Sequence, residues 1–535
     1  MTGSELKIVT EGPYRKMYPA ADFTPEQKWE IHVPRNGTAA FQIGLRREWA
    51  EEPEKISCRL QNNEMCEIRI RTAGAVPQPH FNTGLSPSQR EGNGMIPGFV
   101  FDPLYDTDEM VLPPGETGVF WLSLKIPEDF SPGEQVLYFL IRSEQGESRT
   151  VRVPLKVYSA VIRKRENFPV TNWFYSDALL DYYRIESFDG PYWKILKPYL
   201  QNLVSHGQDT VYVPALTPSL DGIKRPTQLL RIGRQDWGYT FDWDDTERYI
   251  KTALTEGIEY FEWPHLFTQW GAKNGIRIYQ NQGEDEKLLL PPETGADSPA
   301  YREFLKSFLN ELKKFLDQNG LMNRSFFHVS DEPHGPEDLT SYSRARNLLR
   351  ETAPWMKTMD ALSDIQYAEH GLTDTPIASV KTAKDFLDSG ISCWGYFCCS
   401  PKGDFLNRHM DTPLSKIGMS GFLFYKLGIR GFLHWGYNYW YRRASRELID
   451  PFTVTDAGAW PEWAYGDPFT VYPGPEGPID SIRWEVFSLA LEDYALLQTL
   501  ETDPNSPVLS EIRSFSDFPN KSTDPENIRR KLLQR

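Results

Sequence analysis

Residues 326–333 have the sequence FFHVSDEP. An apolar run that fits a buried β-strand leads directly into two carboxylic acids, Asp331 and Glu332. Pro333 ends the strand, because proline has no N–H to donate to a neighbouring strand. In barrels of parallel strands joined by helices, the functional side chains lie at the C-terminal ends of the strands. The stretch therefore predicts one strand of such a barrel, with both acids at its open end.

Further apolar runs have the length and composition of buried strands, and helical patterns separate most of them. The eight strand candidates in chain order are Pro169–Phe174, Thr210–Pro214, Ile258–Glu262, Ser325–Ser330, Met356–Ala361, Pro376–Val380, Ile391–Phe397 and Gly431–Gly436. Helices are expected at 191–206, 299–317 and 481–498, and Ser298 can cap the second of these. We therefore predict a (β/α)8 barrel, the TIM-type fold, over residues 168–500.

The beginning of the chain has the alternating apolar and polar pattern of half-buried strands, as in IRIR at residues 68–71. Turn signals such as PPG at residues 113–115 separate these runs. The pattern predicts an N-terminal β-sandwich over residues 1–162, followed by a basic linker. Residues 501–535 are polar and rich in Pro and Ser, which predicts a loosely packed C-terminal extension.

Length and charge narrow the class of protein. The 535 residues exceed the about 250–300 residues at which single domains stop growing, so we expect a multi-domain protein. The formal net charge of -16 argues against nucleic acid and against anionic membranes as partners. The chain contains 16 Trp, 26 Tyr and 30 Phe. This content fits either a large core or a carbohydrate site, in which aromatic rings stack on the C–H faces of sugars.

The cysteine content and the N-terminal sequence indicate a cellular compartment. Five cysteines are too few, and odd in number, for a disulfide framework. Cys398 and Cys399 lack zinc-site spacing and are expected to be buried small residues of a strand. The N-terminal sequence MTGSELKIVTEGPYRK lacks the apolar segment of a signal peptide, and no stretch approaches the about 20 apolar residues that span a bilayer. The chain as given is predicted to be cytoplasmic, unless a leader was removed.

Aromatic and polar residues occur at the ends of four predicted strands, on the side where the acids are expected. Ring-stacking walls with hydrogen-bonding edges would fit a sugar. Each of these residues alone fits simple packing as well, so the prediction depends on their convergence. The candidate substrate-binding residues are Asn172, Trp173, His265, Trp394, Tyr396, Trp435 and Tyr437.

The pair Asp331-Glu332 is the candidate catalytic group. Two buried neighbouring carboxylates raise the pKa of one of them, which keeps it protonated and able to act as a general acid. Acids also occur at helix N-termini, where the dipole favours them, so a structural alternative stays open. No zinc-protease, phosphate-loop, dinucleotide or serine-hydrolase motif is present. We therefore predict an enzyme without metal or cofactor.

Eight short blocks of sequence carry a resemblance to a known family. The blocks are FDPL at 101–104, VLPPGET at 111–117, HVSDEP at 328–333, GFLHWGYN at 431–438, GD at 466–467, VYPG at 471–474, DSIRWE at 480–485 and LEDY at 491–494. Together they resemble glycoside hydrolase family 123 and the wider family called domain of unknown function 4091. The resemblance covers most of the chain, and its C-terminal blocks are the most specific.

The resemblance implies a β-sandwich followed by a (β/α)8 barrel. It implies a retaining exo-β-N-acetylgalactosaminidase, a hydrolase of carbohydrate metabolism that acts by substrate-assisted catalysis. In that mechanism the 2-acetamido oxygen of the sugar attacks the anomeric carbon and an oxazoline forms, so no enzyme carboxylate is the nucleophile. Asp331 would orient the acetamido N–H. Glu332 would protonate the leaving oxygen and then activate water.

Strand-end positions suggest roles for five further residues under this resemblance. Tyr396 is the candidate hydroxyl for the acetamido oxygen. Trp394 and Trp435 are candidates for the pocket walls, and Asn172 and His265 for binding sugar hydroxyls. The expected partner is a glycan or glycoconjugate substrate.

Two alternatives stay open from the sequence. The chain could be another retaining glycosidase with a different sugar specificity, including one with an enzyme nucleophile. It could also be a non-catalytic carbohydrate-binding protein.

Arg483 opens the last predicted helix, where a cation needs an acidic partner, and we predict a structural role with Glu485, Asp467 or Glu492 as its partner.

Overall fold

The computed structural model describes residues 4–23, 30–61, 67–84, 90–186, 188–220, 222, 224–281 and 286–535. Cys66 and Trp29 lie outside the described residues. Among the residues described, no helix is both long and apolar enough to cross a membrane.

The first part of the chain is rich in strands. Its strands are β1 (Lys7–Glu11), β2 (Ile31–Arg35), β3 (Thr38–Arg46), β4 (Glu54–Leu60), β5 (Ile68–Gln78), β6 (Gly98–Tyr105), β7 (Glu109–Leu112), β8 (Thr117–Lys125), β9 (Gly133–Ser143) and β10 (Ser148–Val161). One sheet has the order β2-β10-β9-β4-β7, and the other begins β1-β3-β8-β5-β6. The two sheets enclose a common apolar core.

The alternation of β8 explains how both faces of its sheet become buried. Phe120, Leu122 and Leu124 point into the core between the two sheets. Trp121 points to the other face, towards the second part of the chain, where its indole N–H donates to Glu485. Successive residues of a strand face opposite sides, so one strand can serve two cores.

The second part of the chain alternates strands and helices. Its strands are β11 (Val170–Asn172), β12 (Thr210–Tyr212), β13 (Arg231–Gln235), β14 (Gly238–Asp242), β15 (Tyr260–Glu262), β16 (Tyr279–Gln280), β17 (Lys287–Leu288), β18 (Ser325–Phe326), β19 (Met359–Leu362), β20 (Thr375–Ser379), β21 (Trp394–Tyr396), β22 (Phe432–His434), β23 (Tyr472–Pro473) and β24 (Pro478–Ser481). Its helices are α1 (Ser176–Tyr182), α2 (Gly190–Ser205), α3 (Asp244–Glu256), α4 (Pro299–Gln318), α5 (Gly335–Thr352), α6 (Gln366–Glu369), α7 (Ala383–Asp388), α8 (Leu414–Gly418), α9 (Ser420–Leu427), α10 (Ile482–Thr499) and α11 (Asp524–Leu533). Ser298 caps α4 by accepting from the N–H of Tyr301.

Each of the eight predicted barrel strands contains or overlaps a parallel strand of the structure. These strands form a five-stranded sheet, β11-β22-β21-β20-β19, and a three-stranded sheet, β12-β15-β18. All pairings within both sheets are parallel. In the described residues the eight parallel strands therefore form two separate sheets, whereas the sequence predicted one closed barrel. An isolated parallel bridge between Phe327 and Thr358 links β18 to β19.

Strands from the end of the chain complete the first sheet. β24 pairs antiparallel with β6, and β23 follows it at the sheet edge. Arg71 on β5 forms an ion pair with Asp480 on β24 at 2.7 Å, and both side chains are buried. The strand-rich part and the helix-and-strand part thus share a hydrogen-bonded sheet.

Arg483 has a different partner from those predicted. Its guanidinium binds Asp102 on β6 through two hydrogen bonds of 2.9 and 3.0 Å, and both residues are almost fully buried. It also donates to the carbonyl oxygens of Arg408, Gly466 and Phe469. The predicted structural role agrees with these contacts, but the partner lies in the first part of the chain because β6 packs against α10.

The C-terminal segment is packed, where the sequence predicted loose packing. Arg529 on α11 binds Asp493 on α10 through two hydrogen bonds of 2.7 Å. Apolar side chains scattered among its polar residues are buried, and these are Leu509, Ile512, Phe515, Phe518, Ile528 and Leu532. The low average hydropathy of the segment led to the prediction of loose packing. Burial depends on the position of each apolar residue as well as on composition.

Candidate active site

A cavity of about 230 Å³ lies where the parallel strands end. Trp173 follows β11, Asp331 and Glu332 follow β18, Tyr396 ends β21 and Trp435 follows β22. The other described residues that line the cavity are Gly222, Gln269, Trp270, Ala361, Cys398, Cys399, Leu433, Arg443, Ala444 and Trp463. The C-terminal strand ends thus bring both acids and three of the predicted aromatic residues together.

The backbone at Glu332 explains how two neighbouring acids reach one cavity. Successive side chains of an extended strand point to opposite faces. Glu332 has φ +41°, in the left-handed region that is uncommon for residues other than glycine. Its N–H donates to the carbonyl oxygen of Ala361 at 3.2 Å, which fixes the turned backbone. The turn lets Asp331 and Glu332 face the same space, and such backbone strain is concentrated at functional sites.

The two acids have different environments. Asp331 is 6% exposed, and its Oδ2 accepts a hydrogen bond from Nε2 of Gln269 at 2.9 Å. Glu332 is half-buried, and its Oε1 accepts from the hydroxyl of Tyr396 at 2.8 Å. Burial and then the negative charge of Glu332 raise the pKa of Tyr396 well above its ordinary value. The Tyr396 hydroxyl is therefore protonated and can donate.

A buried charged group lies beneath the acids. Nε2 of His328 lies 2.7 Å from Glu262 Oε1, and Nδ1 lies 3.3 Å from Asp360 Oδ1. Burial lowers the pKa of His328, but the hydrogen bonds and charges of Asp360 and Glu262 outweigh burial and raise it to about 10. Both ring nitrogens therefore carry protons, and the imidazolium bridges two carboxylates.

This buried group also positions one wall of the cavity. Glu262 Oε1 accepts from the indole N–H of Trp173 at 2.7 Å, and Oε2 accepts from the hydroxyl of Thr171 at 2.7 Å. Asp360 accepts from the backbone N–H of Val329, two residues before Asp331. The same carboxylates thus fix the indole of Trp173 and the strand that carries the acids.

Asp467 positions the opposite wall. Its Oδ2 accepts from the indole N–H of Trp435 at 2.8 Å and from the thiol of Cys399 at 3.0 Å. His434 Nε2 lies 3.2 Å from Asp467 Oδ1, while its Nδ1 accepts from the N–H of Gly436. Burial, then the charge of Arg408, lowers the pKa of His434 to about 4, so the ring is neutral. One hydrogen bond from its indole thus ties Trp435 to a buried carboxylate, which Cys399 and His434 contact from other sides.

Four predicted binding residues are not among the described residues that line the cavity. Asn172 is buried, where it donates to Gln208 and accepts from Arg408. The hydroxyl of Tyr437 donates to Asn202 at 2.9 Å. Both residues belong to hydrogen-bonded packing around the strand ends.

The other two lie deeper than the cavity. Trp394 is two residues before Tyr396, so it shares the inward face but packs lower, with its ring 5.1 Å from that of Phe326. His265 stacks on His328 with ring centroids 4.2 Å apart. Burial and the charge of His328 lower the pKa of His265 well below its ordinary value. Strand alternation predicts which face of the sheet a side chain occupies, but it does not predict how far below the cavity that side chain lies.

Sequence reasoning missed several cavity residues. Gln269 and Trp270 lie in the loop after β15, beyond the predicted strand end. Cys398 and Cys399 lie shortly after β21 and line the cavity, where the sequence predicted cysteines buried within a strand. Their position two and three residues after Tyr396 was the available signal. Arg443 and Trp463 come from long connections after β22, for which the sequence offered no periodic pattern.

Among the residues that the structure describes, two side-chain groups have distances that a metal ion could accept. One contains His265, His328 and Asp360, and the other contains His206, Asp480 and Glu485. In the first group both ring nitrogens of His328 are bound to carboxylates. In the second group Asp480 and Glu485 both bind the guanidinium of Arg71 at 2.7 Å. Ion pairing within the protein explains both groups.

The chain is similar to known glycoside hydrolases. The family model "Glycoside hydrolase 123, catalytic domain" matches residues 173–500. A family 123 glycoside hydrolase from Clostridium perfringens, whose structural study concerned glycolipid glycan hydrolysis, superposes with a TM-score of 0.73 at 14% identity. The match covers 99% of this chain and 97% of that chain, so the two share the overall fold.

Other solved structures are less similar. A Bacteroides ovatus GH5 xyloglucanase matches 92% of this chain and 100% of its own at 10% identity, with a TM-score of 0.32. A β-D-glucuronidase from Dictyoglomus thermophilum matches 91% of this chain and 70% of its own at 8% identity, with a TM-score of 0.34. No curated protein sequence matches the chain significantly. The family model, which covers more than half of the chain, shows that the protein belongs to glycoside hydrolase family 123 and is a glycoside hydrolase.

Proposed function

We propose that this enzyme is a retaining exo-β-N-acetylgalactosaminidase that works by substrate-assisted catalysis. The observation that carries the proposal is that Asp331 and Glu332, adjacent in sequence, both face one cavity. Among the described residues that line the cavity, they are the two carboxylic acids. Both emerge from one strand and therefore from one wall, which suits a mechanism in which the substrate supplies its own nucleophile.

Each acid has a role that fits its contacts. Asp331, held by Gln269, accepts the acetamido N–H and keeps the acetamido oxygen directed at the anomeric carbon. Glu332 protonates the glycosidic oxygen while the bond from the anomeric carbon to that oxygen breaks. The acetamido oxygen bonds to the anomeric carbon, and an oxazoline forms. Glu332 then takes a proton from water, which opens the oxazoline with net retention.

Tyr396 and the tryptophans complete the proposed sugar site. The protonated hydroxyl of Tyr396 donates to Glu332 and is positioned to donate to the acetamido oxygen when substrate enters. Trp435, fixed by Asp467, and Trp173, fixed by Glu262, supply apolar walls for the sugar ring. Terminal β-linked N-acetylgalactosamine of a glycolipid glycan is the proposed substrate, in line with the glycolipid glycan hydrolysis studied for the similar Clostridium perfringens enzyme.

We also propose that the eight parallel strands close into a (β/α)8 barrel. The bridge between Phe327 and Thr358 joins the two sheets on one side. On the other side the N–H of Asp209, just before β12, donates to the carbonyl oxygen of Val170 on β11 at 3.4 Å. These contacts support a continuous ring of strands. The predicted boundaries at 1–162, 168–500 and 501–535 remain the proposed division of the chain.

The test compares aryl β-glycosides of N-acetylgalactosamine, N-acetylglucosamine and galactose. The proposal requires preferential cleavage of the first, with the β-anomer as the first product by NMR. Asp331→Asn and Glu332→Gln should each lower kcat/KM by at least about 100-fold. Glu337→Gln, an exposed acid in the first turn of α5, is the matched control and should retain full activity.

Two further measurements separate the mechanisms. Azide should rescue Glu332→Ala and yield a β-glycosyl azide, because azide attacks the oxazoline without help from a general base. A thiazoline analogue of the oxazoline should inhibit the wild-type enzyme. A 2-fluoro sugar that traps a covalent glycosyl-enzyme would instead show an enzyme nucleophile and would refute substrate assistance.

A further inference from the structure

Trp270 differs from the other tryptophans that line the cavity. It is 56% exposed, whereas Trp173 is 3% exposed and Trp435 and Trp463 are half-buried. An exposed apolar side chain is common on protein surfaces and indicates little by itself. This one, however, lies on the rim of the cavity that contains the acids.

The backbone of the loop that carries Trp270 is strained. Trp270 has φ +57°, and Gly271 and Ala272 follow with φ +99° and +55°. A bulky residue in the left-handed region is a true outlier, and such strain persists where surrounding contacts impose it. The N–H of Trp270 donates to the carbonyl oxygen of Asp331 at 2.9 Å, and the N–H of Ala272 donates to Thr268. The loop therefore holds an exposed indole in a strained conformation.

The same loop is tied to the catalytic pair. Gln269, the residue before Trp270, donates from its side chain to Asp331 Oδ2 at 2.9 Å. Trp270 itself binds the backbone of Asp331. The ring thus has a fixed relation to the acids but lies towards solvent. A glycoside bound for cleavage places its terminal sugar inside the cavity and its leaving group on the solvent side of the broken bond.

We propose that the indole of Trp270 is the platform on which the departing sugar stacks, so that the preferred substrate has a sugar as its leaving group. The inference rests on the proposed function and extends it to the other side of the cleaved bond. The apolar C–H face of a pyranose matches an exposed aromatic face. Glu332 protonates the glycosidic oxygen, and the stacked sugar then departs as a neutral alcohol.

The experiment uses two glycosides with the same terminal sugar. One is a disaccharide with a hexose leaving group, and the other is a 2,2,2-trifluoroethyl glycoside, whose leaving group is too small to cover an indole. Trp270→Ala should lower kcat/KM for the disaccharide about tenfold, which is about 1.4 kcal/mol. The same variant should alter kcat/KM for the trifluoroethyl glycoside by less than twofold. The inhibition constant of the thiazoline should also stay within twofold of the wild-type value.

Two other variants serve as controls. Trp270→Phe keeps an aromatic ring and should recover most of the disaccharide activity. Trp237→Ala removes a 76% exposed tryptophan between β13 and β14 that is not among the cavity-lining residues, and should leave both glycosides unaffected. An equal loss on both glycosides in Trp270→Ala, or no loss on either, would overturn the proposal.

Thermal unfolding separates ligand binding from packing. Glycine adopts φ +57° without strain, so Trp270→Gly should unfold at the same or a higher temperature while losing the same disaccharide activity as Trp270→Ala. A lower unfolding temperature would show that the indole serves packing and would count against the platform. If the wild-type enzyme cleaved neither glycoside, the proposed function would be refuted. The role of Trp270 is tested separately, because that test compares variants with the wild type on a terminal sugar that the wild type does cleave.

Discussion

The hydroxyl of Tyr396 donates a hydrogen bond to Oε1 of Glu332 across 2.8 Å, and the hydroxyl oxygen of Tyr396 also lies 3.1 Å from the hydroxyl of Ser363. Tyr396→Phe removes this donor and keeps the ring. We expect kcat to fall about 100-fold with a smaller change in KM, because preorganised donors act mainly on the transition state. Steady-state kinetics on the aryl glycoside measures both values. Ser363→Ala is the control and should lose less than tenfold, and equal losses in the two variants would contradict the role of Tyr396.

Asp467 offers a test of how the tryptophan wall is held. Burial raises the pKa of Asp467, but the close contact with His434 outweighs burial and lowers that pKa below its ordinary value, so the group is ionised. Asp467→Asn leaves one acceptor oxygen for Trp435, Cys399 and His434. We expect KM to rise about tenfold while kcat changes less. Cys399→Ser retains a hydroxyl donor to Asp467 and should behave like the wild type; unchanged KM in Asp467→Asn would disprove the role.

His328 gives a pH dependence of stability. Its pKa is raised from 6.5 to about 10, so the folded state holds this proton more tightly than the unfolded state does. The stabilisation is complete below pH 6.5 and is lost as pH rises through 10, by up to about 1.4 kcal/mol per pH unit. Urea denaturation between pH 7 and pH 10 should show a steeper loss for the wild type than for His328→Gln. Parallel curves would refute the bridging imidazolium.

Gly421 tests the packing of α9 on α10. A methyl group at this position would lie 1.8 Å from the carbonyl oxygen of Ala490. Gly421→Ala should therefore destabilise the protein by about 3 kcal/mol or more, because the two helices must separate. Gly190→Ala, at the start of α2 with open space around it, is the matched control and should change stability by less than about 1 kcal/mol. Chemical denaturation measures both, and similar values would contradict the close approach.

Periodicity predicted regular elements well. The helix expected at 299–317 spans Pro299–Gln318, and the helix expected at 481–498 spans Ile482–Thr499. Strand starts were close, but the assigned strands are shorter, as for Ser325–Phe326 within the predicted Ser325–Ser330. The chain beyond Phe326 turns towards the cavity, and that turn includes the left-handed residue Glu332. A pattern of apolar residues contains no information about such a turn.

For the candidate site, the sequence indicated residues at strand ends but not residues in loops. Motif and strand-end position placed Asp331, Glu332, Trp173, Tyr396 and Trp435 at the cavity. Trp394 is not among the described residues that line the cavity, because an inward-facing position does not define how far along its strand a side chain lies. Neither motif nor strand-end position indicated Gln269 or Trp270, whose positions depend on a loop held by Asp331 rather than on any repeat. Tertiary contacts decide these placements.

The edge strand β24 has a consequence for any truncation of this protein. It belongs to the chain after the eight parallel strands, yet it completes a sheet that starts near the N-terminus, and Arg71, Asp102, Asp480 and Arg483 form buried ion pairs across the same junction. A truncation between the two parts would leave buried charges unpaired on both sides, which is strongly destabilising. We therefore expect neither part to fold when it is expressed alone.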